Sequence, residues 1–147
     1  MIVEAQINIK SSRAAIWAAI TNIEGASKII SGIKNIEILK KPTSGLVGLK
    51  WRETRILFGK PAAVDKWITE AVENEFYKTR AESDGFVFIT TIRISEVSGV
   101  LTLTSSHDSQ PQSFGKKLTA VLMIFFKGVA KKAILQDLND IKAEVEK

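Results

Sequence analysis

Apolar and polar residues alternate from the start of the chain. Val3, Ala5, Ile7 and Ile9 fall on one side, and Glu4, Gln6, Asn8 and Lys10 on the other, which is the period of a half-buried strand over 2–10. The period then changes. Ser11 or Ser12 can cap a helix that begins at Arg13, carries Ile16, Trp17 and Ile20 on one side and ends near Asn22. A short second helix is predicted from Glu24 to Ile30, stopped by Ser31-Gly32. Strand patterns then occupy 33–40, 47–58, 62–72, 75–82, 86–95 and 99–107. They are broken by the loop PTSG at 42–45, by Gly59-Lys60, by Glu73-Asn74, by Ser83-Asp84-Gly85 and by Val97-Ser98-Gly99. Gly59-Lys60 is the predicted two-residue hairpin turn, because glycine tolerates the positive φ such turns require. Residues 108–113 are predicted to be a polar loop.

From 114 to 146 there is no proline, and one helix of about 30 residues, about 45 Å long, is predicted, with Ser113 as its N-cap. One apolar stripe runs its length at helical spacing: Met123, Phe126, Ala130, Ile134, Leu138, Ile141 and Val145. A second stripe, Leu118, Val121, Leu122, Phe125 and Val129, exists only in the first half. The second half therefore has one face to bury, as a helix lying on a sheet would. The first half must also meet a loop, a partner chain, a lipid surface or a ligand. Gly128, where the pattern changes, is a candidate bend.

The order is strand, two short helices, six strands, long helix. Short consecutive strands joined by tight turns form an antiparallel meander. Such a sheet twists and curls, so the long helix can fill its concave side. The fold class is therefore α+β: a seven-stranded curved antiparallel sheet wrapped around a long C-terminal helix, with two short helices between strands 1 and 2. The 147 residues suit a single ligand-binding domain, 1–147. Seven strands rarely close perfectly on one helix, so a cavity between sheet and helix is expected.

Composition adds limits. Apolar residues make up 45% and charged residues 25%, the balance of an ordinary globular protein. There are no cysteines, which excludes disulfides, thiolate metal sites and cysteine nucleophiles. The N-terminus has no basic region before an apolar core, so no signal peptide is read there, and a cytoplasmic location is expected. The run Leu118 to Phe126 is too short to span a bilayer. The net charge of +5 and pI near 9.5 favour an anionic partner or a weak anionic membrane contact. A solvated lysine face on the terminal segment explains them better. The lysines do not interleave with a stacking aromatic platform, so nucleic acid is not an expected partner. No glycine-rich phosphate loop, nucleophile elbow or metal spacing is present, and neither a metal nor a cofactor is expected.

Strand parity selects the candidate site. With the turn at Gly59-Lys60, one face holds Trp51, Glu53, Arg55, Leu57, Ala62, Val64, Lys66 and Ile68, and its apolar ends place it inward. A bulge would reverse the assignment. Glu53 and Arg55 then point inward two residues apart, with Lys66 expected across from Glu53. They form a polar anchor in an apolar pocket, or a self-satisfied ion pair at its rim. Phe86, Phe88, Thr90, Ile92 and Ile94 are the inward set of the next wall, with Tyr77, Thr79 and Ala81 as neighbours on the strand before. His107, the only histidine, is read as ending the last strand and shares parity with Leu101, Leu103 and Ser105, which puts it at the cavity mouth. The ligand-contact set is therefore Trp51, Glu53, Arg55, Tyr77, Phe88, Thr90 and His107 from the sheet, with Met123, Phe126 and Ala130 from the helix.

Three stretches also carry a family resemblance. IVEAQINIKSSRAAIWAAITNIEG at 2–25 resembles the opening strand and helix of the SRPBCC superfamily, the helix-grip fold. GLKWRETRILFGK at 48–60 is similar to the third strand of its bacterial polyketide cyclase/dehydrase-like branch, and FGKKLTAVLM…KKAILQDLNDIKAEVE to its closing helix. The superfamily includes lipid-transfer (START-like) domains, birch-pollen-allergen-like proteins and polyketide cyclases or aromatases. The resemblance implies the same fold and an apolar ligand, and it does not choose among functions. The leading expectation is carriage or sequestration of a small hydrophobic or amphipathic molecule. The alternative is a cyclase or aromatase that uses Glu53 and His107 as acid and base, with Asp108 as helper. A third reading makes Leu122, Phe125 and Val129 a homodimer or lipid-contact surface.

Overall fold

A computed structural model describes residues 1–83, 85–112 and 127–147. In chain order its elements are β1 (Ile2–Ile9), α1 (Arg13–Thr21), α2 (Ala26–Ile29), β2 (Ile33–Lys40), β3 (Lys50–Leu57), β4 (Lys60–Val72), β5 (Phe76–Ser83), β6 (Phe86–Val97), β7 (Val100–Pro111) and α3 (Lys127–Val145). Every adjacent strand pair is antiparallel, and the sheet order is β1-β7-β6-β5-β4-β3-β2. The meander thus runs from β2 to β7, and β1 closes onto β7. The curved sheet, the two short helices after β1 and the terminal helix are the helix-grip fold.

Local chemistry accounts for most boundaries. Ser12 caps α1, its hydroxyl accepting from the Ala15 N–H at 3.1 Å. α2 is shorter than predicted, one turn over Ala26–Ile29. β7 runs on to Pro111 through the predicted polar loop, because β6 continues to pair with it as far as Phe86↔Pro111. The predicted hairpin turn at Gly59-Lys60 is off by one residue. Leu57 pairs with Lys60, and the turn is Phe58-Gly59 with φ 51° and 78°. Both turn residues are left-handed, the signature of a type I′ hairpin. Moving a two-residue turn by one position shifts the register by two, so every side chain keeps its face.

Bulges lie elsewhere. β4 carries one between Ile68 and Glu70, after which Ala71 rather than Glu70 points inward, opposite Tyr77. β2 has two irregularities, between Ile33 and Asn35 and between Ile38 and Lys40. Such bulges bend the strand and add twist, which is how the sheet curls. The stretch 51–57 against 60–66 contains none.

The core joins β1, α1, the sheet interior and α3. Ile16 and Leu103 are fully buried, and Ile9, Ile68 and Leu138 nearly so. On α3, Ile134, Leu138 and Ile141 are the buried stripe, with Ala130 and Val145 half-buried at its ends. Polar clasps flank that stripe. Asp140 accepts from both the N–H and the hydroxyl of Ser31, at 2.9 and 2.8 Å, and Lys142 donates to the Asn8 carbonyl. The expected Ser113 cap, all of the second stripe but Val129, and the candidate contacts Met123 and Phe126 lie outside the described residues. Val129 is 59% exposed. Among the described residues no helix is long and apolar enough to cross a membrane.

Candidate functional site

β3 puts Trp51, Glu53 and Arg55 on the concave face, and α3 brings a carboxylate toward them from the other side. Glu53 is 5% exposed and is the centre of a four-member ionic cluster. Its Oε2 accepts from Arg55 Nε at 2.8 Å and from Lys66 Nζ at 3.1 Å, and its Oε1 accepts from Trp51 Nε1 at 3.4 Å. Arg55 turns its other edge to Asp137 on α3, with Nη1 donating to Oδ1 at 3.2 Å and Nη2 to Oδ2 at 2.9 Å. This paired geometry fixes the guanidinium in orientation as well as in place. Gly32 leaves room for it: a Cβ there would lie 3.0 Å from Arg55 Nη1.

Lys66 stands directly across from Trp51, not Glu53; Val64 is the residue opposite Glu53. The Lys66–Glu53 contact is therefore diagonal, which a lysine is long enough to span. Burial opposes ionisation of Glu53, but Lys66 and Arg55 together outweigh it and hold the carboxyl down at about 2. Burial likewise disfavours the Arg55 charge, and Asp137 and Glu53 overcome it, leaving the guanidinium more firmly protonated than usual.

His107 lies within β7 and on its inner face, not at the strand end, because β7 extends four residues beyond it to Pro111. It pairs across from Thr90. Its Nε2 is 2.8 Å from the Ser105 hydroxyl and its Nδ1 is 3.4 Å from the Thr90 hydroxyl. Burial, reinforced by the Lys66 and Arg55 charges and only partly offset by Glu53, pushes the imidazole down to about 4. It is neutral at neutral pH, so one ring nitrogen donates and the other accepts. Asp108, the expected helper, is on the opposite face, 3.8 Å from the Met1 amino group and accepting from Gln110.

These groups border a cavity of about 500 Å³ between the sheet and α3. Glu53, Arg55, Phe88, Thr90, His107 and Ala130, all anticipated as ligand contacts, share this one cavity. Its walls are otherwise mostly apolar, with Val3, Val64, Ala81 and Ile134 among them and the exposed Leu57 at its rim. Trp51 and Tyr77 stand behind it, on a smaller void of about 90 Å³ under α1 and α2. There Tyr77 donates to the Ile20 carbonyl at 2.9 Å and meets Trp17 edge-on. Burial, with Glu53 nearby, raises the proton affinity of its phenol. Glu53, Arg55, Lys66, Asp137, Thr79, Thr90 and His107 border both spaces, so the polar groups form a waist between a large chamber and a small one.

Asp137 is the member that sequence reasoning missed. The signal was present: it lies three residues after Ile134 and four before Ile141, on the edge of the buried stripe, where an unpaired carboxylate would be costly.

By sequence, the chain matches no family model and no curated protein. By structure it resembles several solved proteins. One is a START superfamily protein from Mycobacterium smegmatis, at 16% identity and TM-score 0.77, with 99% of this chain and 97% of that one covered. Another is the Zhui aromatase/cyclase from Streptomyces sp. R1128, at 14% identity and TM-score 0.76, covering 99% and 93%. A third is Ara h 8.0201, at 16% identity and TM-score 0.67, covering 99% and 97%. At these identities the likeness is one of fold: the chain has the helix-grip architecture.

Proposed function

We propose that the protein binds a small hydrophobic or amphipathic molecule in the cavity between the curved sheet and α3. The observation that carries this reading is the cavity itself. About 500 Å³ of space with mostly apolar walls and a few convergent polar groups is the form of a small-molecule site. Burial of the ligand's apolar surface, at about 25 cal/mol per Å², would supply most of the affinity before ordering costs. Thr90 and His107 would orient its polar end. The fold likeness to a START superfamily protein and to an aromatase/cyclase agrees with an interior used for apolar guests.

Two measurements test it. Native mass spectrometry of protein from its natural host should reveal a co-purified apolar molecule. The neutral dye Nile red should bind with enhanced fluorescence, and Phe88→Ala should weaken that binding while leaving the circular dichroism unchanged. Dye fluorescence that never rises, or is indifferent to Phe88→Ala, argues against this wall.

The cyclase reading draws on one observation, the neutral His107 on the cavity wall beside two hydroxyls. Its other half is unsupported. Glu53 is committed to two cations and holds its proton too weakly to act as a general acid near neutrality. Incubation with a poly-β-keto substrate decides: cyclised product that disappears in His107→Ala would favour the enzyme over the carrier.

A further inference from the structure

The ionic waist is balanced. Among the described residues bordering the two chambers, Arg55 and Lys66 are the side-chain cations, and Glu53 and Asp137 are the carboxylates; Met1 also borders the larger one, its amino group donating to the Ser109 carbonyl at 2.8 Å with Asp108 at 3.8 Å. Each cation is already engaged. Arg55 is bonded along one edge to Glu53 and along the other to Asp137, and Lys66 is bonded to Glu53. His107 adds no charge at neutral pH, because its imidazole is buried and unprotonated. A ligand carboxylate arriving here would add a negative charge where, among the described residues, every cation already has a carboxylate partner. To take either bonded edge of Arg55 it would have to displace Asp137 or Glu53, leaving that anion without its partner. A ligand ammonium would face the mirror problem. Uncompensated charge in such a setting is strongly disfavoured.

The same wall suits an uncharged oxygen. Thr90, His107 and Ser105 form a short chain of hydroxyl, imidazole and hydroxyl. A hydroxyl both donates and accepts, and neutral imidazole does one at each nitrogen, so the chain can reverse its polarity to suit a donor or an acceptor. The Thr90–His107 contact, at 3.4 Å, is at the long limit for a hydrogen bond, which makes it the link a guest could most cheaply replace.

Building on the binding function above, we propose that the site selects ligands whose buried end is an uncharged hydroxyl or carbonyl and discriminates against the corresponding carboxylates and ammonium compounds. Asp137 is the residue that sets this preference, by neutralising the outer edge of Arg55.

The test is displacement of Nile red by decanol and by decanoate, at a pH where decanoate is fully ionised, in the wild-type protein and in Asp137→Asn. Decanoate is better hydrated than decanol everywhere, so the informative quantity is the change in their ratio. Decanol should displace the dye well before decanoate in the wild type. Asp137→Asn should shift the ratio toward decanoate by about tenfold or more, since it frees one edge of a buried guanidinium. Glu53→Gln carries the same expectation by an independent route if Asp137→Asn folds poorly. Decanoate binding as well as decanol in the wild type, or a ratio unmoved by either substitution, overturns the selectivity while leaving the carrier function standing. Failure of the dye and of both displacers to bind at all overturns the carrier function, and the selectivity with it.

Discussion

At the scale of single residues, the interior polar groups determine how the protein responds to acid. His107 is the only histidine, and its folded-state affinity for protons, about 4, lies below its ordinary 6.5. Between those values the unfolded chain binds the proton and the folded chain does not, so stability rises with pH there. The contribution is complete above about 6.5 and lost as pH falls to about 4, and it amounts to at most on the order of 3 kcal/mol. Glu53, moved from 4.5 to about 2, acts in the next window: its contribution is present above 4.5 and disappears as pH falls through 2. Urea midpoints measured against pH should therefore decline in two stages, and His107→Gln should flatten the upper one. A persistent upper stage in that variant would assign it to other groups. At neutral pH, Glu53→Gln should cost about 1–3 kcal/mol, because Arg55 and Lys66 lose their common anion. Inward placement of Glu53, Arg55 and His107 was legible from alternation alone. Asp137 was not read as their partner, because a single carboxylate beside an apolar stripe does not reveal what it faces.

At the scale of elements, α3 is held by an apolar stripe and by polar clasps, and the two differ in weight. Leu138 is 1% exposed, and Leu138→Ala should lose about 2–5 kcal/mol through transfer and cavity terms together. Asp140→Ala removes both bonds to Ser31, but these are solvent-exposed, and the cost should be about 1 kcal/mol. Chemical denaturation of the two variants compares them directly. A larger loss for Asp140→Ala would mean that the clasp, not the stripe, seats the helix. The strand boundaries show how local and non-local forces divide. The turn slipped by one residue because Gly59 alone does not say whether it is the first or second left-handed position, and the hairpin uses Phe58 for the other. The tail of β7 reads as loop in the sequence because Asp108, Ser109, Gln110 and Pro111 have weak strand propensity; pairing with β6, and at Asp108 with β1, keeps them extended.

At the scale of the whole molecule, the shape follows from a sheet that curls farther than one helix can fill. α3 packs against β1 and β7, while the opposite flank of the sheet meets it across the cavity and through the Arg55–Asp137 pair. Space is thus kept open where the walls are small residues, Ala62, Ala81 and Ala130 among them. Filling it should be tolerated by the fold and fatal to binding. Ala130→Trp is expected to abolish the Nile red response with a thermal midpoint close to that of the parent. Undiminished dye binding would place the guest elsewhere.

The amino-acid sequence by itself determined the element order, the antiparallel meander, the concave faces of β3, β5, β6 and β7 and the buried stripe of α3. These follow from periods of two and of 3.6, which a chain carries locally. Only the tertiary structure decided that Asp137 closes the ionic cluster, that Lys66 reaches Glu53 diagonally, and that Trp51 and Tyr77 belong to a second, smaller void. Each of these depends on how far one element stands from another, a distance set by the summed packing and curvature of the whole sheet and written in no single stretch of the chain.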